Sequence, residues 1–160
     1  MSCHDIINLF ILFLIPYHFH KLHLTNSMFT KKQYETLAAF RYRLRLFLQF
    51  SEEAAKKEGL SGQQHQALLA IKGFPGREVI TVGELAERLC IHHNSAVGLV
   101  NRLEKDGLVT KKSGEIDRRE MYVSLTLGGT KMLESLAYAH KEELLKIGPQ
   151  LRSLLSQISE

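Results

Sequence analysis

The stretch TVGELAERLCIHHNSAVGLVNRLEKDGLVTKKSGEIDRREMYVSLT, residues 81–126, decides the fold. Thr81 and Glu84 make a Thr-x-x-Glu capping box, and Val82, Leu85, Ala86 and Leu89 follow at i, i+3, i+4 and i+7. That spacing predicts a helix of about two turns opening at Val82. Cys90 to His93 reads as a turn, and a second helix is expected over Asn94 to Asp106, with Ala96, Leu99, Val100 and Leu103 on its core face. Gly107 falls at C′, with Leu103 and Leu108 where a Schellman cap places its hydrophobic contact. Leu108 to Lys112 then reads as a strand. Met121, Val123 and Leu125 alternate with Glu120, Tyr122 and Ser124 as a second strand, and the charged loop Ser113 to Arg119 joins the two. Two short helices in a tight turn, followed by a basic-tipped hairpin, describe a helix-turn-helix with a wing.

At 100° per residue, the second helix carries Asn94, Gly98, Asn101 and Lys105 opposite its core face, flanked by Ser95 and Arg102 and preceded by His93. Asn pairs with adenine edges, Arg with guanine, and Ser with bases or phosphates, so these types suit entry into a major groove. A glycine in mid-helix costs on the order of 1 kcal/mol against alanine, a cost that close approach of a backbone or base at Gly98 would explain. Between Arg88 and Arg119 there are seven Lys and Arg against four Asp and Glu, so most of the chain's formal excess of +4 is local. Lys111 and Lys112 on the first wing strand join the candidate DNA contacts. Arg118 and Arg119 at the tip have the reach and charge for a minor groove. The plainer alternative for all of them is a solvated, charged face.

Outward from this segment, Glu35 to Glu58 is rich in Ala, Glu and Lys, and Leu37, Phe40, Leu44, Phe47 and Leu48 keep helical spacing. One long helix is expected from about Lys31 to Lys57, ended by Gly59. Ser61 and Gln64 form a further capping box before Ala67, Leu68 and Ile71, and Gly73 to Gly76 breaks that helix. Leu133, Leu136, Ala137, His140, Leu144 and Ile147 predict another long amphipathic helix, stopped by Gly148 and Pro149, with a last short helix after it. Tyr42, Phe47, Phe50 and His65 read as core rather than as the lining of a ligand cavity. Before Met28 the composition differs: Ile6 to Ile15 is apolar except at Asn8, and Pro16 closes the run. Ten residues are too few to span a bilayer, and Met1 to Asp5 lacks the Lys or Arg of a secretory signal. Residues 1–27 therefore read as a leader produced by start-site choice, with an added dimer element or an anchor as alternatives.

The 160 residues, 44% hydrophobic and 24% charged, fit one soluble domain. Two cysteines, Cys3 and Cys90, give no disulfide framework and point to a reducing cytoplasm. The chain carries no phosphate-binding glycine loop, HExxH or GxSxG, which argues against an enzyme, and no cofactor or metal is expected.

With these residues in hand, the chain resembles the MarR family of bacterial winged-helix regulators from Met28 to Glu160. The resemblance is carried by TVGELAERL (81–89), HHNSAVGLVNRLEKDGLV (92–109), Asp117, Arg118 and Arg119, and VSLT (123–126). It implies a mainly α fold with a small antiparallel β wing, in which residues 61–126 form the winged helix-turn-helix lobe. Residues 30–58 and 127–160 would supply the dimerisation helices. It also implies a homodimer on double-stranded DNA, most often repressing, released by a small aromatic ligand bound between the dimer helices and the lobe. The wing departs from the family's Asp-x-Arg-Asp-Arg-Arg, with Gly114 for the first Asp and Ile116 for the first Arg. Gly128 and Gly129 open the next helix where helix formers are commoner, which predicts a fraying junction. Two rivals share the fold: a redox or metal-responsive regulator acting through Cys90, and a protein-interaction module. Without a resolving partner, Cys90 reads as a small buried residue.

Overall fold

The computed structural model describes residues 29–114 and 120–158. The leader 1–27 and the wing-tip residues Asp117, Arg118 and Arg119 lie outside the described residues. In chain order the elements are α1 (Lys31–Lys57), α2 (Gly62–Lys72), β1 (Val79–Thr81), α3 (Val82–Arg88), α4 (His93–Lys105), β2 (Val109–Ser113), β3 (Met121–Leu125) and α5 (Leu127–Ile158). The fold is mostly helical with one three-stranded antiparallel sheet, the winged helix-turn-helix expected from residues 81–126. Among the described residues, no helix is long and apolar enough to cross a membrane.

Local chemistry sets the helix ends. Thr30 with Gln33, Ser61 with Gln64, and Thr81 with Glu84 each form a complete capping box, so α1, α2 and α3 start where an N-cap side chain satisfies an otherwise orphaned amide. At the other end of α4, Gly107 adopts φ +71°. Its amide donates to Glu104 O and that of Leu108 to Leu103 O, both at 2.9 Å, which is the Schellman pattern.

The sheet order is β1-β3-β2, with Ile80 opposite Val123 and Lys111 opposite Val123 from the other side. The three-residue β1 is an addition to the sequence reading. Its Ile80 is fully buried, and Thr81 both ends the strand and caps α3. Leu68, Ile71, Ile80, Leu85, Leu99, Leu103 and Val123 fill the core between the short helices and the sheet. α1 packs along α5, and Leu133 and Leu136 of α5 join that core. Beyond the contact, both long helices keep large apolar side chains in solvent, among them Tyr34, Leu145, Leu155 and Tyr138, the last 72% exposed. Tyr42, read as core, is 53% exposed and belongs to this set.

Two expectations for the C-terminal region are corrected. Gly148 and Pro149 do not end a helix: α5 runs through them as one element of 32 residues. Proline keeps a helical φ and removes one hydrogen bond, to residue 145, and Pro149 sits on the solvent side while Ile147 is buried in the preceding turn. Packing on one face thus outweighs the local breaker. Nor does the Gly128–Gly129 junction fray. The Thr126 hydroxyl donates to Gly107 O at 2.7 Å and accepts from the Gly129 amide at 3.0 Å, and the Thr126 amide donates to Leu108 O at 3.0 Å. Gly129 is buried against that carbonyl because only a residue without a Cβ fits there.

Candidate nucleic-acid interface

α4 is positioned from its C-terminal end and along its core face. Gln64, already the capping-box residue of α2, donates through Nε2 to Asp106 Oδ2 at 2.9 Å, tying the start of α2 to the end of α4. Buried Ala96, Leu99, Val100 and Leu103 seat one face on the core. The opposite face stays in solvent: His93, Asn94, Ser95, Asn101, Arg102 and Lys105 are exposed, and Gly98 is half-buried. The N-cap His92 makes no side-chain cap bond, so the first-turn amides and the positive end of the helix dipole are left open to an anion. A Cβ added at Gly98 would meet only Arg102 Nη1, at 3.6 Å, an ordinary contact. Among the described residues, no neighbour therefore requires glycine there.

Between α4 and the sheet lies a cleft of about 390 Å³, whose walls include Thr81, His93, Val97, Asn101, Lys111 and Glu120. The two lysines of β2 part at this point. Lys111 shares the inward strand face with Val109 and is half-buried, with its Nζ 2.7 Å from Asn101 Oδ1 and 2.7 Å from Glu104 Oε2. Lys112, one residue on, is exposed on the opposite face beside its strand partner Tyr122. The Tyr122 hydroxyl donates to Glu120 Oε2 at 2.8 Å, and that carboxylate raises the phenol's pKa.

The sequence reading passed over two arginines. Arg77 and Arg88 place their guanidinium carbons 4.8 Å from the centre of the Phe74 ring, and Arg77 also pairs with Glu84. The Thr81 amide, then the Thr81 hydroxyl and Arg77, hold the Glu84 carboxyl below its ordinary range against a smaller opposing effect of burial. No spacing in the sequence signals this cluster, because Phe74 and Arg77 lie in the Gly-Pro loop and Arg88 on α3.

Cys90 is corrected from buried to exposed. It occupies the C′ position of α3 with φ +51°, while the amides of Cys90 and Ile91 donate to Glu87 O and Ala86 O. This is the Schellman geometry in which glycine is usual, and it turns a side chain outward. At the crossing of α1, α2 and α5, His65 is 3% exposed and stacks on His140 with ring centres 4.6 Å apart. His140 Nδ1 donates to Leu136 O at 2.6 Å, since a carbonyl only accepts, which leaves its Nε2 to accept from the Ser51 hydroxyl at 2.8 Å. Phe47 and Phe50 pack edge-on against His140. Among the described residues, His65 Nδ1 has no hydrogen-bond partner, and burial, then His140, lowers the His65 pKa to about 4.

Residues 58–120 match a sequence model described as MarR family. The chain is 36% identical over 84 residues to the transcriptional activatory protein BadR of Rhodopseudomonas palustris, covering 52% of this chain and 48% of that one. It is 34% identical over 74 residues to the homoprotocatechuate degradative operon repressor of Escherichia coli, covering 46% of this chain and 48% of that protein. The chain thus spans about half the length of the curated relatives it matches. Its fold matches Sco3205, a MarR family transcriptional regulator from Streptomyces coelicolor solved in complex with DNA. The TM-score is 0.66 and the identity 20%, over 83% of this chain and 86% of that one. A MarR family protein from Bacillus stearothermophilus matches with a TM-score of 0.65 and 20% identity, over 84% of this chain and all of that one.

Proposed function

We propose that this chain is a MarR-family, sequence-specific DNA-binding transcriptional regulator and not an enzyme. The observation that carries the reading is the solvent-exposed face of α4, where His93, Asn94 and Ser95 stand in the first turn and Arg102 and Lys105 in the last, beside a wing. Asn94, Ser95, Gly98 and Arg102 would enter the major groove, Lys105 and Lys112 would meet phosphates, and Arg118 and Arg119 would reach the minor groove.

The working form in this reading is a homodimer. Residues 30–58 and 127–160 supply its interface, since α1 and α5 expose large apolar side chains such as Tyr42, Tyr138 and Leu145 to solvent. Two-fold symmetry then requires two half-sites about one helical turn apart. We take the regulator to be a repressor released by a small aromatic ligand held between the dimer helices and the lobe. The name of the Escherichia coli relative, homoprotocatechuate degradative operon repressor, supports the repressor role.

The test is fluorescence anisotropy of duplex DNA from the protein's own upstream region against a scrambled duplex, over a range of salt. Preference for the upstream DNA, with affinity falling steeply in salt and a footprint over two half-sites, is expected. Equal weak binding to both would move the weight to a protein partner.

A further inference from the structure

Lys111 carries an inference that rests on the DNA-binding reading and sharpens it. Strand alternation puts its side chain on the face of β2 that looks at α4. There its ammonium meets two acceptors one helical turn apart on α4, Asn101 Oδ1 and Glu104 Oε2, each at 2.7 Å. An ammonium has three donors, so two of them are committed to α4 before any partner arrives. The side chain keeps 24% of its exposure, far less than a solvated lysine on a wing.

We propose that Lys111 is a positioning residue which, held by Asn101 and Glu104, fixes the wing against the recognition helix instead of contacting a phosphate. A lysine already neutralised by a carboxylate at 2.7 Å gathers little counterion charge on behalf of DNA. A phosphate reaching it must first displace Glu104. The bond also engages Oδ1 of Asn101, one of the two groups needed for a bidentate adenine contact, so Asn101 serves the same latch. Sequence preference then depends on Lys111 through geometry: if the wing rotates against α4, Asn94, Ser95 and the wing tip no longer meet DNA in register.

The test begins with a duplex selected by the wild-type protein from a random-sequence pool, compared with its scrambled version. Lys111→Met is expected to weaken binding to the selected duplex by about tenfold while changing binding to the scrambled duplex less than about twofold. The slope of log affinity against log salt should not move, and Lys111→Arg, whose fork reaches both acceptors, should restore most of the loss. A parallel loss on both duplexes, with the slope reduced by about 0.9, would mark Lys111 as a phosphate contact and overturn the proposal. A second measurement is independent of DNA: the melting-temperature shifts of Lys111→Met and Glu104→Gln, alone and combined. Non-additive shifts are expected, and additive ones overturn the latch. Failure of the wild type to select any duplex would remove the DNA-binding reading itself, and the thermal cycle would still judge the latch.

Discussion

Replacing Gly129 by alanine should be among the most destabilising single-methyl changes available in this chain. The added Cβ would lie 2.0 Å from Leu108 O, 3.0 Å from Leu108 C and 3.3 Å from Leu108 Cα, all backbone atoms that cannot swing aside. Relief requires α5 to move away from the end of α4 by about 1 Å. That motion strains the three hydrogen bonds joining Thr126 to Gly107, Leu108 and Gly129. Overpacking costs typically about 1–3 kcal/mol, and each weakened hydrogen bond adds about 0.5–1.5 kcal/mol. Alanine's better helix propensity returns about 1 kcal/mol. The net expectation is a loss of about 2–6 kcal/mol, a fall in Tm on the order of 10 °C for a domain of this size. The assay is thermal unfolding followed by circular dichroism, with wild type and variant at equal concentration, since the proposed dimerisation would make Tm depend on concentration. Gly128→Ala is the internal control. Its Cβ would meet Thr126 Oγ1 at 3.5 Å and Gly107 O at 3.7 Å, ordinary contacts, so it should be neutral or mildly stabilising. A Gly129→Ala protein melting within about 2 °C of wild type, or a Gly128→Ala protein falling equally far, would refute the reasoning.

His65 should make stability depend on pH. Its folded pKa, about 4, lies below its ordinary 6.5, so as pH falls below 6.5 the unfolded chain binds a proton that the folded chain refuses. Stability should be flat above pH 6.5 and lose about 3 kcal/mol by pH 4; His65→Phe should flatten that part of the profile, and an unchanged slope would count against the buried neutral ring. Cys90→Val should destabilise by about 1–2 kcal/mol, because a β-branched residue is strained at φ +51°, whereas Cys90→Gly should be nearly neutral; equal melting points for the two would contradict the left-handed geometry. Arg118→Ala should weaken binding to the upstream duplex and lower the salt slope by about 1 with little change in Tm, and unchanged affinity at matched salt would remove Arg118 from the interface.

What was legible in the sequence was local. Each capping box lies within four residues, so Ser61 and Thr81 announce their helices without knowledge of the rest of the chain, and Thr30 with Gln33 carries the same signal, left unread before α1. The buried face of α4 follows from helical spacing, and Gly107 from the demand for a left-handed residue at C′. What was missed depends on contacts distant in sequence. β1 is three residues long, too short to show alternation, and exists by pairing with β3 more than forty residues later. Pro149 reads as a stop until Ile147 is seen to be buried. Cys90 reads as buried because nothing local reveals that it takes the position of a capping glycine. For the interface, exposure of Asn94, Ser95 and Arg102 could be read from periodicity, whereas the bonds of Lys111 to Asn101 and Glu104 depend on how β2 packs on α4.

These joints bear on how a signal would reach DNA. The end of α4 is bonded to α2 through Gln64 and Asp106, to the start of α5 through Thr126 and Gly107, and its middle is bonded to β2 through Lys111. A helix held in this way does not slide by itself; it moves with its lobe. α5, in turn, is one uninterrupted helix from its contact with Leu108 to Ile158. In the homodimer proposed above, a change in how two copies of α1 and α5 pack would therefore have a rigid route to the spacing of the two copies of α4, and the His65–His140 stack, at the crossing of α1, α2 and α5, lies on that route.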